Sequence, residues 1–211
     1  MTMRVAITGW ALASPFGREP AAFWAGVCRG PTPWRPWAFG PPEMGLACRV
    51  AVLPDDDELG AGPHGHRLTT LAANLGHRAL ASAGFAAPAG TGLALGSVWG
   101  ETDFYAIPRR PPPAPLLATL ARELGLTGPV ANLPVACAAG NVAIAWAVAR
   151  LRRGDAPCML AGGADVVGPL AVGTFAFFDN LTHDLPRPFD VARDGFLMGE
   201  GGALFVLEPL E

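Results

Sequence analysis

The sequence feature that most constrains the fold is a strand–helix–strand unit in the second half of the chain. Short apolar runs predict strands over Ala131–Ala136 and Pro157–Ala164, and the longer run between them predicts a helix over Ala138–Arg153. This helix has a clear end, because three arginines lie in its last turn, where cations complement free carbonyl groups, and Gly154 follows. Such a unit is typical of α/β proteins.

The remaining sequence repeats this alternation of short apolar runs and longer helical stretches. It therefore predicts one α/β domain over residues 1–211, with no linker and no internal repeat. Further strands are expected over Arg4–Leu12, Leu46–Val52, Gly92–Ser97 and Gly201–Leu207, and further helices over Glu19–Arg29, Arg67–Ala83 and Leu116–Leu124. The prolines of Pro31–Pro42 predict an irregular segment.

The composition excludes several classes of function. Hydrophobic residues make up 51% of the chain and charged residues 16%, a balance that excludes a disordered protein. The net charge of −3 indicates no nucleic-acid partner and no anionic membrane surface, and no apolar run reaches the roughly 18 residues that a membrane-spanning helix needs. All the basic residues are arginine, so a Schiff-base or P-loop lysine is impossible, and we expect no cofactor and no metal.

The start of the chain and its cysteines bear on the cellular compartment. Val5–Ala13 allows two interpretations, a short signal peptide or a first buried strand, and the interruptions at Thr8 and Gly9 favour the strand. The four cysteines are widely spaced and form no C-x-x-C pair. Reduced thiols in a cytoplasmic protein are therefore expected.

Cys137 is the strongest candidate for a catalytic residue. It lies between a predicted strand and an apolar helix, and its neighbours are the small residues Ala136, Ala138 and Gly140. Free N–H groups at a helix start favour the thiolate and can stabilise an oxyanion, which is the logic of a nucleophile elbow with cysteine in place of serine. On spacing alone, a buried structural cysteine in an alanine-rich core is slightly favoured over the nucleophile.

Four stretches of the chain resemble, in the same order, segments of the β-ketoacyl-acyl-carrier-protein synthases. The stretch Val135–Ile144 is similar to their active-site segment, and Val5–Gly17 resembles their opening strand and turn. Gly154–Ala164 resembles the strand after the active-site helix, and Arg187–Gly201 resembles the motif that closes their N-terminal half. The four matches span nearly the whole chain, and the resemblance implies that Cys137 is the acyl-accepting nucleophile.

The resemblance also implies a fold and a reaction. The fold is thiolase-like, and this chain resembles only its N-terminal half, a mixed β-sheet flanked by helices, with the C-terminal half absent. In the implied reaction the cysteine takes an acyl group from a thioester of acyl carrier protein. A malonyl-carrier thioester then loses carbon dioxide, and the resulting carbanion attacks the acyl-enzyme, in fatty acid or polyketide biosynthesis.

The departures from the family are as informative as the matches. Family members are roughly twice as long, and their two catalytic histidines come from C-terminal motifs that this sequence lacks. The lysine that accompanies those histidines is also missing, because the chain contains none. The region Gly100–Pro113 is shorter than usual, which affects the acyl tunnel and the dimer side. The resemblance thus implies an active site that is incomplete in this chain alone.

None of the four histidines present is expected to replace the missing pair. His64 and His66 lie in a Gly/Pro loop without an acidic or thiolate companion, so a loop or helix-start role is favoured over a metal pair. His77 is expected to pack or to face solvent in the middle of a helix. His183 lies in a loop that the family places near the mouth of the active site, where a catalytic role is an alternative.

Three acidic residues near the C-terminus invite a general-acid interpretation. Asp190, Asp194 and Glu200 lie in a segment rich in glycine, arginine and proline. Such a context favours carboxylates that accept backbone hydrogen bonds and pair with arginine. We therefore expect a structural role for these three residues.

The resemblance allows three functions. The first is a split ketosynthase component that needs a second chain for its histidines. The second is a non-catalytic partner of the chain-length-factor type or a truncated product, and the third is a thioester-handling protein that is acylated without condensation. The helix Ala138–Arg153 is apolar all round, which predicts burial on every side. A half-fold of this kind should expose an apolar face, so we expect a homo- or hetero-oligomer with a ketosynthase-like chain, or an unstable monomer.

Overall fold

A computed structural model describes residues 3–30, 32–38, 47–54, 66–84, 87–101 and 115–210. Its strands are β1 (Arg4–Ala13), β2 (Arg35–Ala38), β3 (Ala47–Ala51), β4 (Gly92–Gly96), β5 (Val130–Asn132), β6 (Met159–Asp165), β7 (Met198–Gly199) and β8 (Gly201–Leu210). Its helices are α1 (Pro20–Arg29), α2 (Arg67–Ser82), α3 (Leu116–Glu123), α4 (Ala139–Arg152) and α5 (Pro169–Phe177).

The larger sheet has five strands in the order β1-β8-β6-β4-β5. Strands β5, β4 and β6 run parallel, whereas β8 pairs antiparallel with both β6 and β1. The sheet is therefore mixed, and the predicted α/β class is confirmed. The parallel strands bring their carboxyl ends to one edge of the sheet, which is where ligands bind in open α/β sheets.

The two faces of this sheet carry different side chains. On β4, Leu93 and Leu95 pack into the core beneath α2 and α3, while Ala94 between them belongs to the core beneath α4. Successive side chains of a strand point to opposite faces, so the helices cover the sheet on both sides. The α4 side carries smaller residues, such as Ala94 and Ala161, which allow this helix to approach the sheet closely.

A smaller sheet lies beside the first, in the order β2-β3-β7. It was not predicted in full, because the proline-rich segment was expected to be irregular and instead contains β2. The reason is that β2 is an edge strand, where a proline such as Pro36 is tolerated. Val50, Val172 and Leu181 form part of the core that joins this sheet to α5.

The structure corrects two further expectations around α4. The strand predicted to continue to Ala136 ends at Asn132, and a 3-10 turn over Ala136–Ala138 precedes the helix. The helix itself was expected to be buried on every side, which is wrong for this chain, since only the stripe around Ala143 and Ala147 is buried. The reason is that α4 has a sheet on one side only within the described residues.

Some expectations fall on residues that the structure does not describe. These are His64 and most of the region Gly100–Pro113. Within the described ranges, none of the helices has both the length and the apolar character needed to cross a bilayer.

Candidate active site

Cys137 occupies a sharp turn between the sheet and α4. The residue before it, Ala136, has a φ of 47°, a left-handed conformation that side-chain-bearing residues seldom adopt. The small alanine side chain keeps the steric cost of this conformation low, and the turn presents the Cys137 side chain to solvent. The alternative of a buried structural cysteine is therefore wrong for this chain, since Cys137 is exposed on a turn that leads into α4.

Three glycines bring the start of α4 against the sheet. A Cβ atom at Gly96 would lie 2.3 Å from the carbonyl carbon of Ala139 and 2.5 Å from the nitrogen of Gly140. A Cβ atom at Gly163 would lie 3.2 Å from the Gly140 Cα. Because β4 and β6 carry no side chain at these positions, the helix start rests directly on the two strand ends, and Cys137 is fixed above them.

A cavity of about 530 Å³ opens beside the thiol. Its lining includes Cys137, the glycines at the strand ends, and an apolar wall that contains Val98, Trp99 and Phe175. The Trp99 and Phe175 rings meet edge to face with their centroids 6.1 Å apart, and Phe175 packs in the same way against Phe196 at 4.9 Å. A cavity of this size and lining suits an apolar group attached to the sulfur.

The backbone donors at the turn favour negative charge near the sulfur. The N–H groups of Ala138 and Ala139 donate to the carbonyls of Val135 and Ala136, whereas the N–H of Cys137 makes no hydrogen bond within the described residues. The first turn of α4 contains no acidic residue. The positive end of the helix dipole and the unpaired N–H group of Cys137 therefore both favour negative charge near the sulfur.

Asp165 is a member of the site that the sequence did not reveal. Its side chain lines the cavity and accepts hydrogen bonds from Ser97 Oγ at 2.8 Å, from Val98 N at 3.1 Å and from Trp99 N at 3.3 Å. These partners lie 66 to 68 residues away along the chain. No local sequence pattern signals a contact of such long range, although Asp165 does follow directly on a predicted strand.

The histidines lie away from Cys137 in the part of the chain that the structure describes. His183 lines a different cavity of about 490 Å³ between β3 and α5, and His77 faces solvent on α2 as expected. The Nδ1 atom of His66 lies 3.8 Å from Glu101 Oε2, at the start of α2. No described histidine lines the cavity at Cys137, and the described residues contain no group of three or more His, Cys, Asp or Glu side chains able to hold a metal ion.

The three acidic residues near the C-terminus have the structural roles that were predicted. The buried Glu200 accepts hydrogen bonds from Leu53 N and Val167 N and pairs with an arginine, Arg67, at 2.8 Å. Asp194 accepts hydrogen bonds from the hydroxyl of Thr182 and from a backbone N–H group, and these bonds hold the pKa of its carboxyl below the usual value. Asp190 accepts a hydrogen bond from a backbone N–H two residues further along.

The four cysteines are free thiols, as predicted, and we expect them to differ sharply in reactivity. Burial and the nearby Glu208 carboxylate raise the pKa of Cys158 to about 11, so at pH 8 only about one Cys158 thiol in a thousand is ionised. Cys28 and Cys137 are exposed. Peptide mapping after iodoacetamide treatment should find these two modified and Cys158 unmodified until the chain is unfolded; modification of Cys158 in the folded chain at the rate of Cys28 would contradict this account.

Comparison with known proteins places the site in a family. A family model described as the β-ketoacyl synthase N-terminal domain matches residues 67–211. The chain is 31% identical to a Streptomyces cyaneus protein that carries the name polyketide β-ketoacyl synthase 1; the match covers 100% of this chain and 59% of that protein. It extends over 253 residues against the 211 of this chain, so the relative contains residues within the matched region that this chain lacks.

Two further proteins agree with this assignment. The chloroplastic 3-oxoacyl-[acyl-carrier-protein] synthase I of Arabidopsis thaliana is 43% identical over 101 residues, which cover 44% of this chain and 21% of that protein. The solved structure of the ishigamide ketosynthase/chain length factor superposes with a TM-score of 0.83 at 27% identity and covers 100% of this chain and 59% of its own. The chain thus spans a little over half the length of its full-length relatives. It belongs to the β-ketoacyl synthase family, and it corresponds to the N-terminal half of the ketosynthase fold.

Proposed function

We propose that this chain accepts an acyl group on Cys137 and is one component of a β-ketoacyl synthase. The observation that carries the proposal is the exposed thiol on a strained turn, at the start of α4 and beside an apolar cavity. A thiol that only packed a core would need neither the exposure nor the cavity.

The acyl transfer uses groups that the chain itself supplies. The Cys137 sulfur attacks the carbonyl carbon of an acyl thioester, and the carbonyl oxygen becomes an oxyanion that the Cys137 N–H can stabilise. The carbon–sulfur bond to the carrier then breaks, and the carrier thiolate leaves and takes up the proton that the Cys137 thiol lost. The acyl chain of the new thioester packs against the apolar wall at Trp99 and Phe175.

Condensation requires groups that the described residues do not bring to the cavity. Decarboxylation of a malonyl thioester needs hydrogen-bond donors for the malonyl carbonyl, and no described histidine lines the cavity at Cys137. We therefore propose that a second, ketosynthase-like chain supplies the catalytic histidines. The carrier of both thioesters is acyl carrier protein, a proposal supported by the name of the Arabidopsis relative.

Exposed apolar surface supports the need for a partner chain. The side of α4 that faces away from the sheet exposes Ala145 and Ala149 in a helix whose sequence is apolar all round. Phe177 is 84% exposed, Phe178 62% and Phe189 fully exposed. Such surface is normally covered in a stable protein.

We therefore expect the purified chain to behave as an oligomer or as an unstable monomer. The expected result is a molar mass above that of one chain by light scattering, or strong fluorescence of a hydrophobic dye together with a low unfolding temperature. The reason is that exposed apolar surface on α4 and α5 favours association with another chain. A stable monomer that binds no dye would contradict the proposal that a second chain completes the fold.

A second candidate function is a non-catalytic partner of the chain-length-factor type. It is favoured by the likeness to the ishigamide ketosynthase/chain length factor. In that case the cavity at Cys137 would shape a product without carrying it covalently.

We also propose that residues 1–211 act as one domain and that the protein works in the cytoplasm, where its four free thiols stay reduced.

Acylation of the purified chain tests the proposed function. After incubation with an acetyl thioester, intact mass spectrometry should show one added acetyl group on the wild-type chain and none on Cys137→Ala. The matched control is Cys28→Ala, which removes the other exposed thiol and should leave the acetylation unchanged. Equal acetylation of Cys137→Ala and the wild type would refute the acyl-acceptor role.

A further inference from the structure

The carboxyl ends of the three neighbouring parallel strands β5, β4 and β6 are joined by side-chain hydrogen bonds in addition to the backbone ladder. Asp165 is the last residue of β6, and Gly163, two residues earlier, pairs with Gly96, the last residue of β4. The Asp165 carboxylate therefore lies beside the residues with which the chain leaves β4. It accepts hydrogen bonds from Ser97 Oγ and Trp99 N on Oδ1 and from Val98 N on Oδ2.

Ser97 extends this tie to the next strand. Its N–H donates to Asn132 Oδ1 at 3.0 Å, and its carbonyl accepts a hydrogen bond from Asn132 Nδ2 at 3.2 Å. Its hydroxyl oxygen also accepts a hydrogen bond from Gly100 N at 3.1 Å. Ser97 is fully buried, so water does not compete for these bonds. The exit from β4 is thus held from both sides, by β6 and by β5.

This tie fixes one wall of the cavity at Cys137. Val98 and Trp99 line the cavity, and their backbone N–H groups are the ones that Asp165 holds. Without the carboxylate these two N–H groups would have no hydrogen-bond partner among the described residues, and the Ser97–Trp99 segment would no longer be held in one position. The Trp99 ring would then lose its fixed packing against Phe175.

We propose that Asp165 is a positioning residue, which holds the Ser97–Trp99 segment as a rigid apolar wall for a group carried on Cys137. The inference rests on the proposed function in one respect, namely that the carried group is an acyl chain. The placement of the wall by Asp165 is a separate claim. It predicts that Cys137 prefers reagents with an apolar tail, and that this preference depends on Asp165.

Alkylation of Cys137 measures this preference without requiring catalysis. The rate constants for iodoacetamide and for N-octyl iodoacetamide are determined by loss of the unmodified Cys137 peptide, and their ratio reports the packing of the octyl tail on the wall. In Asp165→Asn the side-chain NH₂ group faces a backbone N–H group of Val98 or Trp99, and two donors cannot form a hydrogen bond. The Ser97–Trp99 wall is therefore held less firmly. The octyl preference should then fall by about fivefold, the equivalent of unburying one to two methylene groups.

The matched control is Asp194→Asn. Asp194 also accepts one hydroxyl and one backbone hydrogen bond, from Thr182 Oγ1 and His183 N, but it does not line the cavity. A merely structural loss of a carboxylate would affect both variants alike, whereas a positioning role lowers the octyl preference in Asp165→Asn only. An unchanged ratio in a folded Asp165→Asn variant would overturn the proposal.

Three further results separate the possible failures. If Asp165→Asn does not fold, Ser97→Ala decides the question, because it removes only the hydroxyl from the tie and should lower the octyl preference in the same direction; an unchanged ratio there would overturn the proposal. If the wild-type chain is never acylated but the ratio falls in Asp165→Asn, the acyl-acceptor function is refuted and the positioning role stands. If acylation occurs and the ratio is unchanged, the positioning role alone is refuted.

Discussion

Replacing Gly96 by alanine should cost the protein much of its stability. The new Cβ would lie 2.3 Å from the Ala139 carbonyl carbon and 2.5 Å from the Gly140 nitrogen, and both are backbone atoms that cannot rotate away. Overpacking of this kind costs about 3 kcal/mol, a large part of the roughly 5–15 kcal/mol that keeps a domain folded. For a chain of this size the melting temperature should fall by about 6–12 °C.

The control for this substitution is Gly173→Ala on α5. A Cβ atom there meets nothing within 4 Å, and alanine is the better helix former, so stability should stay the same or rise by up to about 1 kcal/mol. Thermal unfolding followed by circular dichroism compares the two variants directly. Equal melting temperatures for Gly96→Ala and Gly173→Ala would mean that α4 does not rest on the end of β4 as described.

Glu200→Ala is expected to have the second large effect on stability. The buried carboxylate joins β7 and β8 to the rest of the protein, because it accepts the N–H groups of Leu53 and Val167 and pairs with Arg67. Its removal leaves two buried donors unsatisfied and takes a partner from the arginine. Losing one member of a buried pair in this way costs about 3–5 kcal/mol, which urea denaturation would measure.

Glu19 provides the matched comparison for Glu200. It pairs with Arg78 at 3.1 Å, but its side chain is 76% exposed, and exposed ion pairs contribute about 0–1 kcal/mol. Glu19→Ala should therefore unfold at nearly the wild-type urea concentration. A Glu200→Ala variant that is as stable as Glu19→Ala would show that the carboxylate is not the structural link described here.

The sequence predicted the part of the site that is contiguous in the chain. The strand, the cysteine and the apolar helix lie within about 25 residues, and local pattern and propensity determine such units well. The left-handed conformation of Ala136 could not be predicted, since nothing in an alanine signals it. The helix start that follows this turn rests on Gly96 and Gly163, which belong to other strands, so its position depends on distant parts of the chain.

The parts that the sequence missed depend on contacts between distant segments. Asp165 meets Ser97 across 68 residues, and Ser97 meets Asn132 across 35. Strand β2 was missed because proline disfavours strands in general, and only its position at the edge of the smaller sheet makes Pro36 acceptable. An exposed apolar face was expected of a half-fold, but the sequence did not locate it on α4, because a helix with an apolar sequence predicts burial without showing which molecule provides the cover.

The most direct test of the central claim is a crystal structure of the chain after reaction with an octanoyl thioester. We expect continuous electron density from Cys137 Sγ through a thioester into the cavity lined by Val98, Trp99 and Phe175, with the carbonyl oxygen within hydrogen-bonding distance of the Cys137 N–H. An unmodified Cys137 beside an acylated Cys28, or an acyl chain that leaves Sγ toward solvent and avoids the cavity, would contradict it.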